Sequence, residues 1–455
     1  MKSIYSQPMR TETRVLANPD EGAKGTTFDP RKRATFAIRM LIAFSVLYFA
    51  RPEDIIPGLH YIPTEKITGG MALLGLIVGF SGRRFGKYPT ELKLMLVLFA
   101  WQCLGIPFAF YRSGALNYVV NGCSKALIVA WIVGMLVESI PQVRTLLFIQ
   151  AGSVAVMTLF SILTYKGGRM GGVLGGVFDN PNDLAIAIAM NWPLCWLFLL
   201  SAKNPLKKAI WAIFMILMVR GLMLTYSRSG FLALAVAVAF SLWEFGVRGK
   251  RRYLIGVAVL FAVVLLVLGP SKYASRLESI VGGSDSSGVD IYGGDARQAR
   301  LELLKMSLLT SAQHPVFGVG AGQFRAATEL WHVTHNTYTE ISADQGIPAL
   351  GLFLAVLALS FRNLRRIRSS PAYAASEDIR LFVGGLWAAL ASYVTGAMFA
   401  STSYNLFPYF LIGYTTALYR LTAPGAQQAA SSEQSPRIRF VRPLLVPGSS
   451  PNRLT

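Results

Sequence analysis

Residues 184–202 have the sequence LAIAIAMNWPLCWLFLLSA, which contains no charged side chain. About 20 apolar residues are enough for a helix to cross the hydrocarbon core of a bilayer. Similar stretches recur along the chain, roughly at 35–50, 67–81, 94–111, 119–138, 146–165, 209–226, 229–247, 253–269, 346–361, 381–401 and 404–421. We therefore predict an all-α integral membrane protein with about 12 transmembrane helices.

The composition agrees with this fold class. Of 455 residues, 53% are hydrophobic and 15% are charged, whereas soluble domains carry about 25% charged residues. This composition excludes a soluble enzyme. Cys103, Cys123 and Cys195 all lie in apolar stretches, which favours neither a disulfide framework nor a cysteine-based zinc site.

The basic residues predict the orientation of the chain. The net charge of +21 would suggest a nucleic-acid partner in a soluble protein, but in a membrane protein the position of the charges matters more. With the N-terminus inside, the inner loops carry far more Lys and Arg than the outer ones, as the positive-inside rule requires. We therefore expect both termini in the cytoplasm and no nucleic-acid partner.

This orientation divides the chain into five segments. We predict a cytoplasmic basic tail (1–34), transmembrane helices 1–9 (35–269), one large loop on the outer face (270–345), transmembrane helices 10–12 (346–421) and a disordered cytoplasmic tail (422–455). In the loop, residues 281–294 are rich in Gly and Ser, and the stretch 296–313 is amphipathic. We expect short helices after a flexible hinge there.

Two candidate motifs flank the predicted sixth and eighth helices. Residues 178–185 (FDNPNDLA) place Asn180 and Asn182 at a turn before a helix; Asn182 or Asp183 could cap that helix, or the Asn side chains could bind an anion or a sugar. Arg228 lies in a tight connection at the outer boundary, where it could snorkel to the interface or pair with a phosphate. Lys125 is an ionisable residue within an apolar stretch and is therefore a functional candidate.

The outer loop contains two further candidate groups. Arg297 and Arg300 open its amphipathic stretch, and a turn carrying Gly318, Gly320 and Gly322 follows. A glycine-rich turn can present backbone N–H groups to an anion, although no preceding strand makes this one a nucleotide fingerprint.

The last candidate is His335, followed by Asn336, at the end of the loop. His332 shares a helix face with it, but no cysteine or paired carboxylate completes a metal site, so we predict none. A solvated histidine at a helix start is the simplest interpretation. With two arginines on the same face of the membrane, we favour a general base at His335, with Asn336 beside it as a substrate-binding residue.

Taken in order, these motifs resemble the O-antigen ligase superfamily. The resemblance rests on 178–185, on Ser227–Gly230, on Arg300 followed by 314–324 (HPVFGVGAGQF), and on 335–340 (HNTYTE) with Gly346. Leu304, Gln323 and Ala349 depart from residues common in the family, but none of these departures removes a charged group. The resemblance implies functional roles for Arg228, Arg300 and His335.

Members of this family are bacterial inner-membrane glycosyltransferases. The resemblance thus implies that a glycan moves from an undecaprenyl-diphosphate carrier to an acceptor hydroxyl, such as that of lipid A-core, on the periplasmic side. Arginines could neutralise the leaving diphosphate in place of a metal ion, and direct attack would invert the anomeric centre. We therefore expect neither metal nor cofactor, and we expect membrane lipids among the partners, while the role of the basic tails stays open.

Three other functions stay open at this stage. A polysaccharide polymerase would use the same donor with a lipid-linked glycan as acceptor, and a protein O-oligosaccharyltransferase would use a protein hydroxyl. A polytopic transporter could have the same number of helices, but the candidate residues gather at the outer surface and not at the bilayer midplane.

Overall fold

The computed structural model describes residues 30–56, 58–79, 88–172, 180–256, 296–329 and 333–423. Within these ranges the chain is all-helical and contains no strand. The predicted hinge at 281–294, and most of both predicted tails and of the predicted ninth transmembrane helix, lie outside the described residues. Helix α1 begins at Pro30, within the predicted N-terminal tail.

We number sixteen helices in chain order through the described residues. They are α1 (Pro30–Ala50), α2 (Pro52–Ile55), α3 (Thr64–Gly79), α4 (Thr90–Gly105), α5 (Arg112–Tyr118), α6 (Ser124–Leu136), α7 (Ile140–Leu163), α8 (Pro181–Ser201), α9 (Pro205–Thr225), α10 (Arg228–Ser241), α11 (Ala296–Gln313), α12 (Phe324–Thr328), α13 (Thr337–Arg368), α14 (Pro371–Ala375), α15 (Glu377–Gly396) and α16 (Phe407–Thr422). A π-helical turn, Val119–Cys123, joins α5 to α6, and another, Leu242–Arg248, extends α10.

The all-α membrane fold is confirmed, but the number of spans is not. Eight helices in the described ranges are long and apolar enough to cross a bilayer. Each predicted span overlaps helical residues, of which the structure describes only 253–256 for the ninth. Helices α3 and α16 have only 16 residues each. The figure of 12 therefore stays a prediction, as does the outer location of the long loop.

The stretch 184–202 lies at the centre of the bundle. It forms most of α8, and 83% of the residues in the most apolar part of this helix are buried. Helix α8 packs against α7, α9, α10 and α15. Small residues allow this close approach, since Cβ atoms at Gly230 and Gly385 would meet Ala185 and Leu197. Such small-residue contacts stabilise helix pairs in lipid, where burial of apolar surface adds little.

Helix α13 begins earlier than predicted and contains a kink. It starts at Thr337, whereas hydropathy placed the tenth span at 346. The first turns, TYTEISADQ, are polar and buried against the protein, so hydropathy does not detect them. Gly346 has φ 85° and ψ 167°, which separates this polar segment from the apolar remainder of the helix.

Glycine is required at this kink, which gives a first prediction. A Cβ at Gly346 would overlap the carbonyl oxygen of Val316, and the positive φ disfavours any other residue. Gly346→Ala should therefore destabilise the protein by about 1–3 kcal/mol, measured as a lower thermal unfolding midpoint in detergent.

Gly351 provides the matched control, because it lies on the same helix and a Cβ added there would meet no atom within 4 Å. Gly351→Ala should leave the midpoint unchanged or raise it slightly, since alanine favours the helix. Equal midpoints for the two variants would show that the kink does not constrain the fold.

Candidate functional site

A polar cavity of about 510 Å³ brings together residues that are far apart in the chain. Its charged and polar lining comprises Glu65, Asn121, Lys125, Asn180, Asn182, Asp183, Arg325, His335, Ser401, Tyr404 and Asn405. Four predicted site residues are therefore neighbours in the fold, namely Lys125, Asn180, Asn182 and His335. We call this space the main cavity.

The segment around His335 is held by the loop between α15 and α16. Thr337 Oγ1 donates to the carbonyl oxygen of Ala400 at 2.6 Å and accepts from the Thr402 backbone N–H at 3.0 Å. The hydroxyls of Thr334 and Ser401 lie 3.3 Å apart. His335 itself is half-buried, with φ 53°, and its left-handed backbone turns the chain into α13. These bonds on both sides of His335 limit its movement in the cavity wall.

Asn336 has a structural role that its prediction as a substrate-binding residue did not include. Its side-chain oxygen caps α13 by accepting the backbone N–H groups of Tyr338 at 2.9 Å and Thr339 at 3.2 Å. An N-cap satisfies backbone donors that have no partner within the helix. This oxygen is therefore engaged, and Asn336 does not line the main cavity.

The cap of α8 is Asn180, and the predicted cap at Asn182 or Asp183 is wrong. Asn180 Oδ1 accepts from the Asn182 backbone N–H at 2.9 Å. Pro181 explains the difference, because proline at the first helical position leaves the preceding residue as the cap. Asn182 instead accepts from Arg169 Nη2 at 2.8 Å, so a substrate would meet an asparagine that is already oriented.

Two cations line the main cavity, and sequence analysis selected only one of them. Lys125 lies on α6, one turn after Asn121, and its side chain is exposed. Arg325 was missed. It lies in α12, directly after the glycine-rich turn, and it also lines a second cavity. Its position next to the glycine-rich turn could have identified Arg325, but the sequence analysis considered only the glycines of that turn.

The glycine-rich turn binds an anion that belongs to the protein itself. The carboxylate of Asp344 accepts the backbone N–H of Gly322 at 3.1 Å and that of Phe324 at 2.7 Å. The N–H of Gly320 donates to the Asp344 carbonyl oxygen at 2.8 Å, and that of Gly318 to the His314 carbonyl oxygen at 3.0 Å. The predicted substrate anion therefore has no donor left at these three glycines, whose role here is structural.

The glycines are needed because the turn lies against α13. Gly318, Gly320 and Gly322 have φ of 64°, 109° and 71°. A Cβ at Gly318 would overlap the backbone of Ala343 and Asp344. This contact fixes the position of α12, and hence of Arg325, relative to α13.

The arginines predicted from the resemblance do not line the main cavity. Arg228 is half-buried at the N-terminus of α10, where Gly230 contacts Ala185 and places it beside the N-terminus of α8. Arg300 is exposed on α11. The side chain of Arg297 lies outside the described residues, as does His332.

A second cavity of about 350 Å³, the acidic cavity, shares Arg325, Val333 and Tyr404 with the main cavity. Its acidic lining is Glu340 and Asp344. Glu340 is 8% exposed, and within the described part of the chain its Oε2 has no hydrogen-bond partner. Sequence analysis quoted Glu340 within a motif but gave it no role.

Tyr404, which lies between the two cavities, is a neutral hydrogen-bonding group. Burial raises the pKa of its phenol well above the ordinary value, and the charges of Asp183 and Glu340 raise it further. The hydroxyl therefore stays protonated at physiological pH and can donate to a ligand in either cavity.

The main cavity combines the groups that bind an anion next to a sugar. Lys125 and Arg325 supply positive charge, and the N-terminus of α8 faces the cavity through Asn180, Asn182 and Asp183. Asn405 contributes a buried Oδ1 that has no partner in the described part of the chain. Among the described residues, no group of three or more His, Cys, Asp or Glu side chains could hold a metal ion.

Comparison with known proteins confirms the resemblance. Residues 213–354 match the family model described as O-antigen ligase. The match runs from α9 into α13 and includes Arg228, Arg300, Arg325 and His335, whereas Lys125, Asn180 and Asn182 precede it. The chain is therefore a multi-pass membrane protein in which residues 213–354 match the O-antigen ligase family model. No curated protein sequence matches it.

One solved structure has partial similarity to this chain. It comes from a study titled "Structural coordination of polymerization and crosslinking by a peptidoglycan synthase complex", with a TM-score of 0.43 and 14% identity over 74% of this chain and 99% of that chain. Similarity at this level does not establish a common fold.

The Asp344 contact gives a second prediction. Asp344→Ala would leave the backbone N–H groups of Gly322 and Phe324 without their acceptor, at a cost of about 1–3 kcal/mol for each group. We expect a lower unfolding midpoint and faster amide exchange at residues 318–324. The matched control is Asp378→Ala, which removes a half-exposed ion pair of 2.6 Å to Arg144 that is worth at most about 1 kcal/mol. Equal losses in the two variants would contradict this role of Asp344.

Proposed function

We propose that this protein, which carries an O-antigen ligase domain at residues 213–354, is a glycosyltransferase for a lipid-linked glycan. It would transfer the glycan from an undecaprenyl-diphosphate carrier to an acceptor hydroxyl at the periplasmic face of the bacterial inner membrane. The observation that carries the proposal is the main cavity, which is lined by His335, Lys125 and Arg325.

The donor diphosphate would bind at the cationic side of this cavity. Arg325 can form paired hydrogen bonds with phosphate oxygens, and Lys125 adds a second positive charge. The N-terminus of α8 adds its helix dipole, which favours an anion. These fixed charges would stabilise the lipid diphosphate as it leaves, because negative charge develops on the bridging oxygen.

His335 would be the general base. The acceptor oxygen attacks the anomeric carbon as the bond to the diphosphate breaks, and the hydroxyl proton passes to the imidazole. The products are the new glycoside and the free lipid diphosphate, and the proton leaves His335 to solvent. A histidine has an ordinary pKa of about 6.5, which suits this task near neutral pH. A single displacement inverts the anomeric configuration and needs no cofactor.

Arg228 and Arg300 keep a place in the proposal through the family resemblance. Arg228 adjoins the N-terminus of α8, which lines the main cavity, whereas Arg300 is exposed on α11. Arg325 is the arginine that lines the cavity. The contribution of each of these three arginines to turnover therefore tests where the diphosphate binds.

The proposed function has three forms, which differ in the acceptor. Lipid A-core as acceptor makes the protein an O-antigen ligase, a carrier-linked glycan makes it a polymerase, and a protein hydroxyl makes it an O-oligosaccharyltransferase. All three place the site on the periplasmic side with both termini in the cytoplasm. The ligase form is the leading one, and the products distinguish it from the others.

The base assignment gives the third prediction. His335→Ala should reduce glycan transfer at least ~100-fold, because a positioned base contributes about 10²–10⁴-fold. The measurement is the glycan attached to lipid A-core in a host that lacks its own surface-glycan ligase, at matched membrane levels.

His314→Ala is the matched control, since His314 is exposed and does not line the main cavity; it should transfer glycan like wild type. Full activity in His335→Ala would remove that residue from the mechanism. Lengthened carrier-linked glycan would identify a polymerase, and a donor that is moved but never consumed would identify a transporter.

The role of Arg325 in diphosphate binding gives the fourth prediction. Loss of a charge-assisted contact to phosphate costs about 1.5–3 kcal/mol, so Arg325→Ala should lower turnover at least ~10-fold. Arg325→Lys should restore only part of it, because lysine lacks the paired geometry. Arg228→Ala and Arg300→Ala are tested in parallel. The variant that loses most turnover shows whether the diphosphate binds at the arginines implied by the resemblance or in the main cavity.

Arg366→Ala at the far end of α13 is the control for loss of an arginine. Arg366 is exposed, lines neither cavity and donates to the Tyr419 hydroxyl at 3.4 Å, so its loss should leave turnover unchanged. An Arg325→Ala enzyme with wild-type turnover, next to an inactive Arg300→Ala enzyme, would move the diphosphate site out of the main cavity.

A further inference from the structure

The acidic cavity adjoins the groups that carry the proposed chemistry and shares Arg325 with them. Its wall includes Val333 and Thr334, the two residues that precede His335. It shares Arg325 and Tyr404 with the main cavity. A molecule bound in the acidic cavity would therefore lie next to the His335 segment.

The two carboxylates of this cavity differ in their hydrogen bonds. Both oxygens of Asp344 accept backbone N–H groups, from Gly322 and Phe324. Glu340, one turn earlier on α13, is also buried, but its Oε2 has no hydrogen-bond partner among the described residues. An unpartnered buried carboxylate oxygen is costly unless a ligand supplies the donor.

The remaining lining suits a sugar better than an ion. Tyr118, Phe324 and Tyr404 offer aromatic faces, and Tyr118, Thr334 and Tyr404 carry hydroxyls. Apolar surfaces with a few oriented polar groups are typical of small-molecule sites. A pyranose presents the same alternation of C–H faces and hydroxyl edges.

Hydrogen-bonding capacity assigns the two cavities to different substrates. The unpartnered Oε2 of Glu340 can accept a sugar hydroxyl, whereas a diphosphate oxygen offers it no donor. Of the two cavities, Lys125 lines the main one, and Arg325 lies on the wall that both share. The diphosphate of the donor and the hydroxyls of a neutral sugar would thus bind in different cavities.

We infer that the acidic cavity is the binding site of the acceptor saccharide and that Glu340 holds it by accepting a sugar hydroxyl. The inference rests on the proposed function, because it assumes that a second glycan comes to His335. In this arrangement a hydroxyl next to the one held by Glu340 approaches the anomeric carbon of the donor near His335.

The test is steady-state transfer by the purified full-length protein in detergent, with donor and acceptor varied separately. Glu340→Gln keeps the shape of the side chain and replaces one carboxyl oxygen by an amide nitrogen, which cannot accept a hydroxyl. We expect it to raise the KM for lipid A-core at least ~10-fold, with the KM for the lipid-linked donor unchanged. Glu340→Asp, which keeps the carboxyl group, should recover part of the acceptor affinity. The control Glu302→Gln, at an exposed position of α11, should match wild type.

A direct binding measurement separates this inference from the proposed function. The probes are the core oligosaccharide released from lipopolysaccharide and an oligosaccharide repeat unit, each titrated calorimetrically into wild type and into Glu340→Gln. Glu340-dependent binding of either probe supports the acceptor site, even if wild type transfers no glycan.

Two results would overturn the inference while leaving the proposed function intact. One is active wild type with an unchanged acceptor KM in Glu340→Gln; the other is an equal rise in the KM for both substrates. A merely structural role for Glu340 would lower the unfolding midpoint and kcat without affecting one substrate more than the other.

Discussion

The carboxylate of Asp344 is the contact on which the geometry of the site depends. It accepts backbone N–H groups on both sides of Gln323 and so ties the glycine-rich turn to the first turns of α13. Arg325 follows that turn, and His335 precedes α13. A single buried carboxylate therefore sets the distance between a cation and a histidine that arise from different parts of the loop. The adjacent kink at Gly346 allows the polar start of α13 to diverge from its apolar remainder.

The bundle around α8 supplies the other wall of the site. Close contacts at Gly230 and Gly385 bring α10 and α15 onto α8, and the N-terminus of α8 then faces the main cavity with Asn180 already bonded as its cap. The loop between α15 and α16 completes the enclosure through its bonds to Thr337. The cavity is thus assembled from helix ends, where backbone donors and polar side chains can meet without an apolar span being interrupted.

Two adjoining cavities with different polar linings suit a reaction between two glycans. Transfer from a diphosphate carrier requires positive charge where the leaving group develops and a neutral, hydrogen-bonding surface where the acceptor waits. Arg325 and Tyr404 lie on the shared wall, so both substrates would contact the same pair of side chains. This arrangement would make acceptor binding sensitive to the donor.

The sequence alone determined the membrane fold, the resemblance to the O-antigen ligase superfamily and the candidates Lys125, Asn180, Asn182 and His335, because apolar length and local motifs are properties of short stretches. It could not assign the glycines, because the N–H groups of Gly320 and Gly322 are bonded to Asp344 of α13. Nor did it find Arg325, Glu340 and Asn405, which carry no motif of their own. Only the tertiary structure decided these roles, because a cavity and a hydrogen-bond partner depend on which distant residues the packing of the helices brings together.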